Sequence, residues 1–153
     1  MGVSKELLDG VYRNVMWKPL VYLWVFPTSL VGLLFLPDAL ISGEARWVDG
    51  VLELHGRVTR FVLTHFTLLG GGASAMTLGH VVIARDAELL ELTRDHERVH
   101  VRQCERWGPL FIPAYLFMAV VMKCRGKNAY MDNPFEREAY GRQGDKEPGR
   151  QGE

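Results

Sequence analysis

A His-Glu-x-x-His run at positions 96–100 is the feature that most constrains the fold of this chain. Residues four apart on an α-helix lie about 40° apart around its axis and one turn apart along it. His96 and His100 can therefore bind one metal ion together. Glu97 then lies beside the ion, where it can take a proton from a metal-bound water. The run predicts a helix that carries two metal ligands and a general base.

The residues around the run repeat with the spacing of an amphipathic helix, and both histidines belong to its apolar face. We expect Thr93 to cap this helix and Gly108-Pro109 to end it. The competing interpretation is a core helix whose two histidines are hydrogen-bonded and hold no metal. The predicted buried face consists of Leu89, Leu92, His96, Val99, His100, Gln103 and Trp107.

Length, charge and cysteine content narrow the classes of protein that remain. The chain has 153 residues, enough for one domain with a core. Its formal net charge is zero, which removes the electrostatic case for a nucleic-acid partner. Cys104 and Cys124 make neither a disulfide framework nor a paired metal motif. Cys104 lies one turn beyond His100 and competes as a ligand, although a small buried apolar residue is the preferred interpretation.

A charge-free stretch at residues 20–36 predicts a membrane-spanning helix. As a helix it is about 26 Å long, and the flanking prolines extend it to 19–37, close to the ~30 Å hydrocarbon layer. Residues 1–18 form a weakly amphipathic segment with more cations than the sequence just after 37, which favours a cytoplasmic N-terminus. We therefore expect membrane lipid as a partner. A buried core helix is the alternative.

The remainder predicts an α+β domain over residues 38–140, followed by a disordered tail at 141–153. Within the domain, Asp49-Gly50 is a favoured type I′ turn pair, so residues 45–55 predict a hairpin. Residues 57–69 have helical spacing, and residues 75–84 are rich in β-branched side chains and predict a strand. Residues 109–122 form a second apolar run, which at about 21 Å is short for a spanning helix.

These motifs resemble those of the gluzincin branch of the HExxH zinc metallopeptidases, in which a glutamate on a later helix is the third metal ligand. The closest likeness is to small membrane-associated bacterial proteins with His-Glu-x-x-His-x-x-Gln followed by Gly-Pro-Leu and an apolar segment. The likeness covers roughly residues 76–140. It is carried by His96, Glu97, His100, Gln103, Gly108, Pro109, Leu110, Glu136 and Ala139.

The resemblance implies a minimal zincin-like core, made of a small sheet, the motif helix and a ligand helix, with Zn²⁺ as cofactor. It maps His96, His100 and Glu136 onto the three zinc ligands and Glu97 onto the general base. The substrate would be a peptide or protein. The strand at 75–84 takes the place of the strand that holds substrate, and His80 or Tyr140 would stabilise an oxyanion or contact substrate.

Two questions stay open at this point. Glu138 and Asp132 compete with Glu136, because spacing alone does not separate them. The chain could also be a non-catalytic membrane protein that retains the fold, or an intramembrane metalloprotease. One topological constraint applies to every hypothesis in which His96 and Glu136 bind the same zinc ion. If residues 109–122 crossed the bilayer, the two side chains would lie on opposite sides of it. That run must therefore be re-entrant, interfacial or packed on the domain.

Overall fold

Four strands form one mixed sheet in the order β1-β2-β4-β3. The computed structural model describes residues 5–67 and 72–144, with side chains placed for 17–67 and 72–141. The first and last pairs are antiparallel, and β2 runs parallel to β4. The strands are β1 (Glu44–Val48), β2 (Val51–His55), β3 (Ala75–Leu78) and β4 (Val81–Ala84). Together with the helices they confirm the predicted α+β class.

The hairpin of β1 and β2 has the predicted two-residue turn. Val48 pairs with Val51, and the residues between them, Asp49 and Gly50, have φ values of 48° and 81°. Two consecutive left-handed residues define a type I′ turn, whose twist matches that of the flanking strands. The hairpin therefore follows from local turn chemistry.

The prediction of a single strand at residues 75–84 is wrong. The chain turns at Gly79-His80, so that β3 and β4 pair antiparallel with Leu78 opposite Val81. Gly79 has a φ of 71°, a conformation that suits glycine, and this reverses the chain where β-propensity alone extends it. His80 consequently lies in a turn, and β3 lies at the edge of the sheet.

Six helices surround the sheet in the described part of the chain. The motif helix, α4, begins earlier than predicted because Asp86 caps it and accepts a hydrogen bond from the Leu89 amide at 2.9 Å. Thr93 lies inside the helix, so its prediction as the cap is wrong. A short 3-10 turn at Gly108–Leu110 separates α4 from α5, as predicted. The helices are α1 (Lys5–Leu33), α2 (Leu36–Ser42), α3 (Arg57–His65), α4 (Ala87–Trp107), α5 (Phe111–Cys124) and α6 (Pro134–Gly144).

Several predicted boundaries move in the structure. Helix α1 runs through the expected division between 1–18 and 19–37. Helix α3 ends at His65 instead of reaching 69, with 68 and 69 outside the described residues. Helix α6 continues to Gly144, into the expected tail, and residues 145–153 lie outside the described part of the chain.

Alternate strand residues supply the two faces of the sheet. Val51, Val82 and Ala84 pack with Leu90 and Val101 of α4. Residues of the opposite parity, including Leu54, Val81 and Ile83, pack under α2 and α3 and against the end of α1. The buried central strand β4 thus joins two apolar layers, and α4, which carries the motif, lies directly on one face.

Among the described residues, the helical stretch that is long and apolar enough by length and composition to span a membrane is mid-chain, instead of the predicted N-terminal 19–37. It is Ala87–Cys124, which comprises α4, the 3-10 turn and α5. The N-terminal region reaches the same criterion only as a pair, Trp17–Leu33 with Leu36–Ser42, bent by 46°. Its α1 part packs against the protein along one side, where Val25 is fully buried. The rest of this stretch exposes apolar side chains, namely Trp17, Leu20, Leu23, Trp24, Phe26, Leu30, Val31 and Leu34.

Candidate metal centre

Three buried side chains from two helices converge at one point. His96 and His100 come from α4 and Glu136 from the first turn of α6, and each has at most 7% of its surface exposed. The two imidazole Nε2 atoms lie 3.1 Å apart. Glu136 Oε2 is 3.1 Å from His96 Nε2, and Glu136 Oε1 is 3.4 Å from His100 Nε2. The structure therefore brings together the three predicted ligands across 36 residues of sequence.

These separations match the ligand spacing of a small tetrahedral metal ion. Ligand atoms at about 2.0–2.1 Å from a tetrahedral zinc lie roughly 3.3–3.4 Å from one another. The observed 3.1 to 3.4 Å lies within a few tenths of an ångström of those edges. The His96, His100 and Glu136 group could thus hold a metal ion.

An unsatisfied carboxylate oxygen at the group indicates the same conclusion. Glu136 Oε2 is buried and has no aligned hydrogen-bond donor, although His96 Nε2 lies 3.1 Å away. Buried polar atoms normally have a partner, because leaving one unsatisfied costs about 1–3 kcal/mol. Two imidazole nitrogens and a carboxylate oxygen are a common donor set for divalent transition metals. A cation at this point would supply the partner that Glu136 Oε2 lacks.

Helix α6 reaches α4 because the chain reverses after α5 and a buried asparagine caps the new helix. Asn133 Oδ1 accepts a hydrogen bond from the Phe135 amide at 3.1 Å, and its Nδ2 donates to the Tyr115 carbonyl at 3.2 Å. Pro134 follows at the first helical position, where its missing N–H costs nothing. Ala139 is fully buried, and its small side chain permits close packing of the helices. The Glu136 carboxylate is thereby directed at the two histidines.

The electrostatics of the metal-free group are those of an ion pair. Burial by itself would raise the pKa of Glu136, but the adjacent His100 and His96 side chains outweigh it and lower that pKa to about 2. Burial would lower the pKa of His100, but the carboxylates of Glu136 and Glu97 outweigh it and raise that pKa to about 9. Burial and the Glu136 charge also raise the pKa of Tyr115. A proton on His100 thus balances the buried carboxylate without metal.

Glu97 lies beside the group, and the edge strand holds it there. Its side chain is 5% exposed, and Thr77 of β3 donates a hydrogen bond to its Oε2 at 2.7 Å. The negative charge of Glu97 contributes to the raised pKa values of His100 and Tyr115, so it acts on the same small volume. A carboxylate next to a three-ligand metal group has the placement that a general base requires.

The two predicted substrate residues differ in position. The Tyr140 ring lies 4.7 Å from that of His96, and its hydroxyl is 3.2 Å from the Tyr130 hydroxyl. His80 Nε2 instead lies 3.1 Å from Glu105, nine residues beyond His96 and therefore on the opposite side of α4. Tyr22 also stacks on His80, with ring centroids 4.2 Å apart. The structure thus brings Tyr140 to the metal group and directs His80 elsewhere.

The competing ligands have other partners. Glu138 accepts a hydrogen bond from Gln103 at 3.0 Å, and Asp132 accepts one from the Asn128 amide at 2.8 Å. Cys104 is fully buried in an apolar cluster, and burial raises the pKa of its thiol to about 12. Glu136 is therefore the carboxylate that completes the group, and Cys104 is the buried residue that the sequence favoured.

Three residues at the centre were missed from the sequence: Thr77, Tyr115 and Asn133. Tyr115 donates a hydrogen bond to Glu136 Oε1 at 2.7 Å, and nothing in the local sequence around Tyr115 indicates that contact. Thr77 lies in the stretch 75–84 that was predicted as a single strand, which gave no indication of its contact with Glu97. Of the three, only Asn133 could have been predicted from the sequence as a helix cap, because an asparagine followed by proline is a typical helix start.

Comparisons with models of protein families, with curated proteins and with solved structures find no match. The resemblance to the gluzincin metallopeptidases therefore stays a prediction made from the residues. The geometry supplies a buried group of His96, His100 and Glu136 that could hold a metal ion.

Proposed function

We propose that this protein is a zinc metallopeptidase with a minimal zincin-like core, which cleaves peptide bonds at a membrane. The observation that carries the proposal is the meeting of His96, His100 and Glu136 at tetrahedral spacing, with Glu97 held beside them. Sheet β1–β4 with its edge strand β3, the motif helix α4 and the ligand helix α6 would form that core. Two neutral imidazoles and one carboxylate suit zinc and leave one coordination position free.

In the proposed hydrolysis, each residue at the group would have a separate role. Zinc, when bound, would supply Lewis acidity to the attacking water and to the scissile carbonyl. Glu97 would take the proton from the water and deliver it to the departing amine. The Thr77 hydroxyl, bonded to Glu97 Oε2, would hold that carboxylate in one orientation. The Tyr140 and Tyr130 hydroxyls, 3.2 Å apart near His96, are the candidate donors to substrate.

We further propose that the protein contacts the bilayer through apolar surface on α1, α2 and α5, with the metal group outside the hydrocarbon. Soluble monomers rarely expose large contiguous apolar patches. Here Leu23, Leu34 and Ile41 expose 70%, 74% and 85% of their surfaces. Helix α5 also exposes Phe117 and Val120, but its 14 residues are short for a crossing. The shared position of His96 and Glu136 requires α5 to stay on one side of the membrane.

The deciding experiment combines metal analysis with a peptidase assay on full-length protein purified in detergent. We expect about one zinc per chain in wild type, and loss of zinc in His96→Ala and Glu136→Ala. Glu97→Gln should keep zinc while cleavage of a quenched-fluorescent peptide library falls by about 10²-fold or more. Asp132→Asn is the matched control for Glu136 and should retain both zinc and cleavage.

Four outcomes would contradict this assignment. Wild type without bound zinc would remove the metal centre, and zinc retained in Glu136→Ala would move the third ligand elsewhere. Full cleavage by Glu97→Gln would remove its role as base. Zinc binding without cleavage in wild type would favour a non-catalytic membrane protein that retains the fold.

A further inference from the structure

One buried amide lies behind the metal group and contacts both helices that form it. Gln103 is fully buried on α4, three residues after His100 and one turn along the same face. A buried glutamine side chain must place two N–H donors and a carbonyl acceptor, so its partners define its orientation. Its three partners lie on two different helices.

Both the nitrogen and the oxygen of the Gln103 side-chain amide form hydrogen bonds. Its Nε2 donates to the Phe135 carbonyl oxygen at 3.0 Å and to Glu138 Oε2 at 3.0 Å. Its Oε1 lies 2.8 Å from His100 Nδ1. The reversed amide would place oxygen against two oxygen acceptors, so the nitrogen must face Phe135 and Glu138. The Gln103 oxygen then accepts a hydrogen bond from His100 Nδ1.

This contact selects the tautomer of His100. With the proton held on Nδ1, the Nε2 lone pair of the neutral ring faces His96 and Glu136, which is the form that binds a metal. The other two contacts act on α6 immediately around the third ligand. Phe135 precedes Glu136 by one residue, and Glu138 follows it by two. One side chain thus orients the second ligand and ties down the helix that carries the third.

We infer that Gln103 is a positioning residue that couples His100 to helix α6 and sets the geometry of the metal group. The inference rests on the proposed function and deepens it. Glu138 takes part as the partner that holds the amide nitrogen, in place of the ligand role that the sequence left open. Arg106 lies 3.5 Å from the other Glu138 oxygen and extends the connection to the surface.

The test compares Gln103→Leu and Gln103→Glu with wild type, and uses Arg102→Leu, one residue away on an exposed face of α4, as control. Zinc affinity is measured by chelator competition, and the cobalt-substituted protein by its visible absorption spectrum. We expect Gln103→Leu to bind zinc about 10–100-fold more weakly, the usual effect of removing a ligand's hydrogen-bond partner. Its cobalt spectrum should also lose tetrahedral intensity, a change that general destabilisation of a folded protein does not produce.

Gln103→Glu keeps an acceptor for His100 but cannot donate to Phe135. This variant should weaken zinc binding as well. If Gln103→Leu does not fold, the comparison of Gln103→Glu with wild type is the test. Wild-type affinity and spectrum in either folded variant would overturn the role of Gln103. Failure of wild type itself to bind zinc or cobalt would instead overturn the proposed function, so the two failures are distinguishable.

Discussion

At the scale of single residues, Glu136 is the side chain whose role depends most on its neighbours. It lies in the charged run Glu136-Arg137-Glu138, which in the sequence is typical of a solvated helix face. In the structure Glu136 is 3% exposed, bonded to Tyr115 and facing two imidazoles, while Arg137 is exposed. Its position as a candidate metal ligand therefore comes from packing that brings α6 onto α4.

Tyr115 tests that dependence directly. Tyr115→Phe removes the hydroxyl that donates to Glu136 Oε1 and keeps the ring that packs against Phe135. A charge-assisted hydrogen bond is worth roughly 1.5–3 kcal/mol, so we expect zinc affinity to fall by about 10-fold or more. Chelator competition measures the change, and Tyr22→Phe, which removes a hydroxyl that donates to the Gly50 carbonyl oxygen away from Glu136, is the control. An unchanged affinity in Tyr115→Phe would show that the hydroxyl does not position Glu136.

The ion pair of His100 and Glu136 predicts opposite pH responses for metal binding and for metal-free stability. The pKa of His100 is raised from 6.5 to about 9, so its contribution is full below 6.5 and is lost as pH rises through 9. The pKa of Glu136 is lowered from 4.5 to about 2, so its contribution is full above 4.5 and is lost as pH falls through 2. Both contributions are present together between pH 4.5 and 6.5.

Metal-free protein should therefore lose the His100 contribution as pH rises from 6.5 to 9, while zinc affinity should increase over that range. The reason is that zinc competes with the proton on His100. Calorimetry in buffers of different ionisation enthalpy should give about one proton released per zinc near pH 7.5. A zinc affinity independent of pH there would contradict a protonated His100 in the metal-free state.

At the scale of elements, the corner between α4 and α5 decides how the chain returns to the site. Gly108 ends α4 with φ 56° and ψ −135°, a conformation that other residues enter only at a cost. It also lies against α1, because a Cβ there would fall 2.2 Å from the Trp24 ring. A predicted helix stop is thus also the point where α1 approaches the motif helix.

Gly108→Ala should lower the free energy of unfolding by about 3 kcal/mol, since backbone strain and overlap with Trp24 add together. Gly126→Ala is a matched control, because Gly126 also has a positive φ, 70°, but nothing lies within 4 Å of its added Cβ. That control should cost only about 1 kcal/mol. Denaturant unfolding of both variants makes the comparison, and equal losses would contradict the close packing of Trp24 on this corner.

At the scale of the whole molecule, apolar surface is divided between a core and an exposed face. Helix α1 buries Val25 against α4 and the α5 corner and presents Leu23 outward, and Leu34 in the turn just after the helix is also exposed. Most residues of the charge-free stretch 20–36 therefore lie on the surface of the chain. The bend of 46° between Trp17–Leu33 and Leu36–Ser42 follows from packing α2 against the sheet and α3.

This arrangement predicts that the outward face of α1 carries membrane binding. The double variant Leu23→Asp/Leu34→Asp should reduce co-sedimentation with phosphatidylcholine–phosphatidylglycerol vesicles by about 10-fold or more, because two exposed apolar contacts are replaced by charges. Val58→Asp/Phe61→Asp on α3 is the control, since these two apolar side chains are also exposed but lie outside the α1 face. Equal vesicle binding by the α1 variant and wild type would place the membrane contact elsewhere.

The local sequence by itself determined the features that depend only on interactions between neighbouring residues in the chain. The type I′ turn at Asp49-Gly50, the helical face of His96 and His100, and the helix end at Gly108 depend on backbone conformations and periodicities that a few residues define. Glu136 entered as a ligand only through a resemblance, because a carboxylate's spacing along the chain does not give its position in space. Only the tertiary structure separated it from Glu138 and Asp132.

Tertiary packing also decided where sequence patterns misled. The strand pattern at 75–84 was divided by a turn at Gly79, which placed His80 against Glu105 and Thr77 against Glu97. The charge-free N-terminal stretch became a helix packed along one side, because burying apolar surface on the sheet is favourable wherever a complementary face exists. Long-range contacts of this kind depend on the shape of the whole chain.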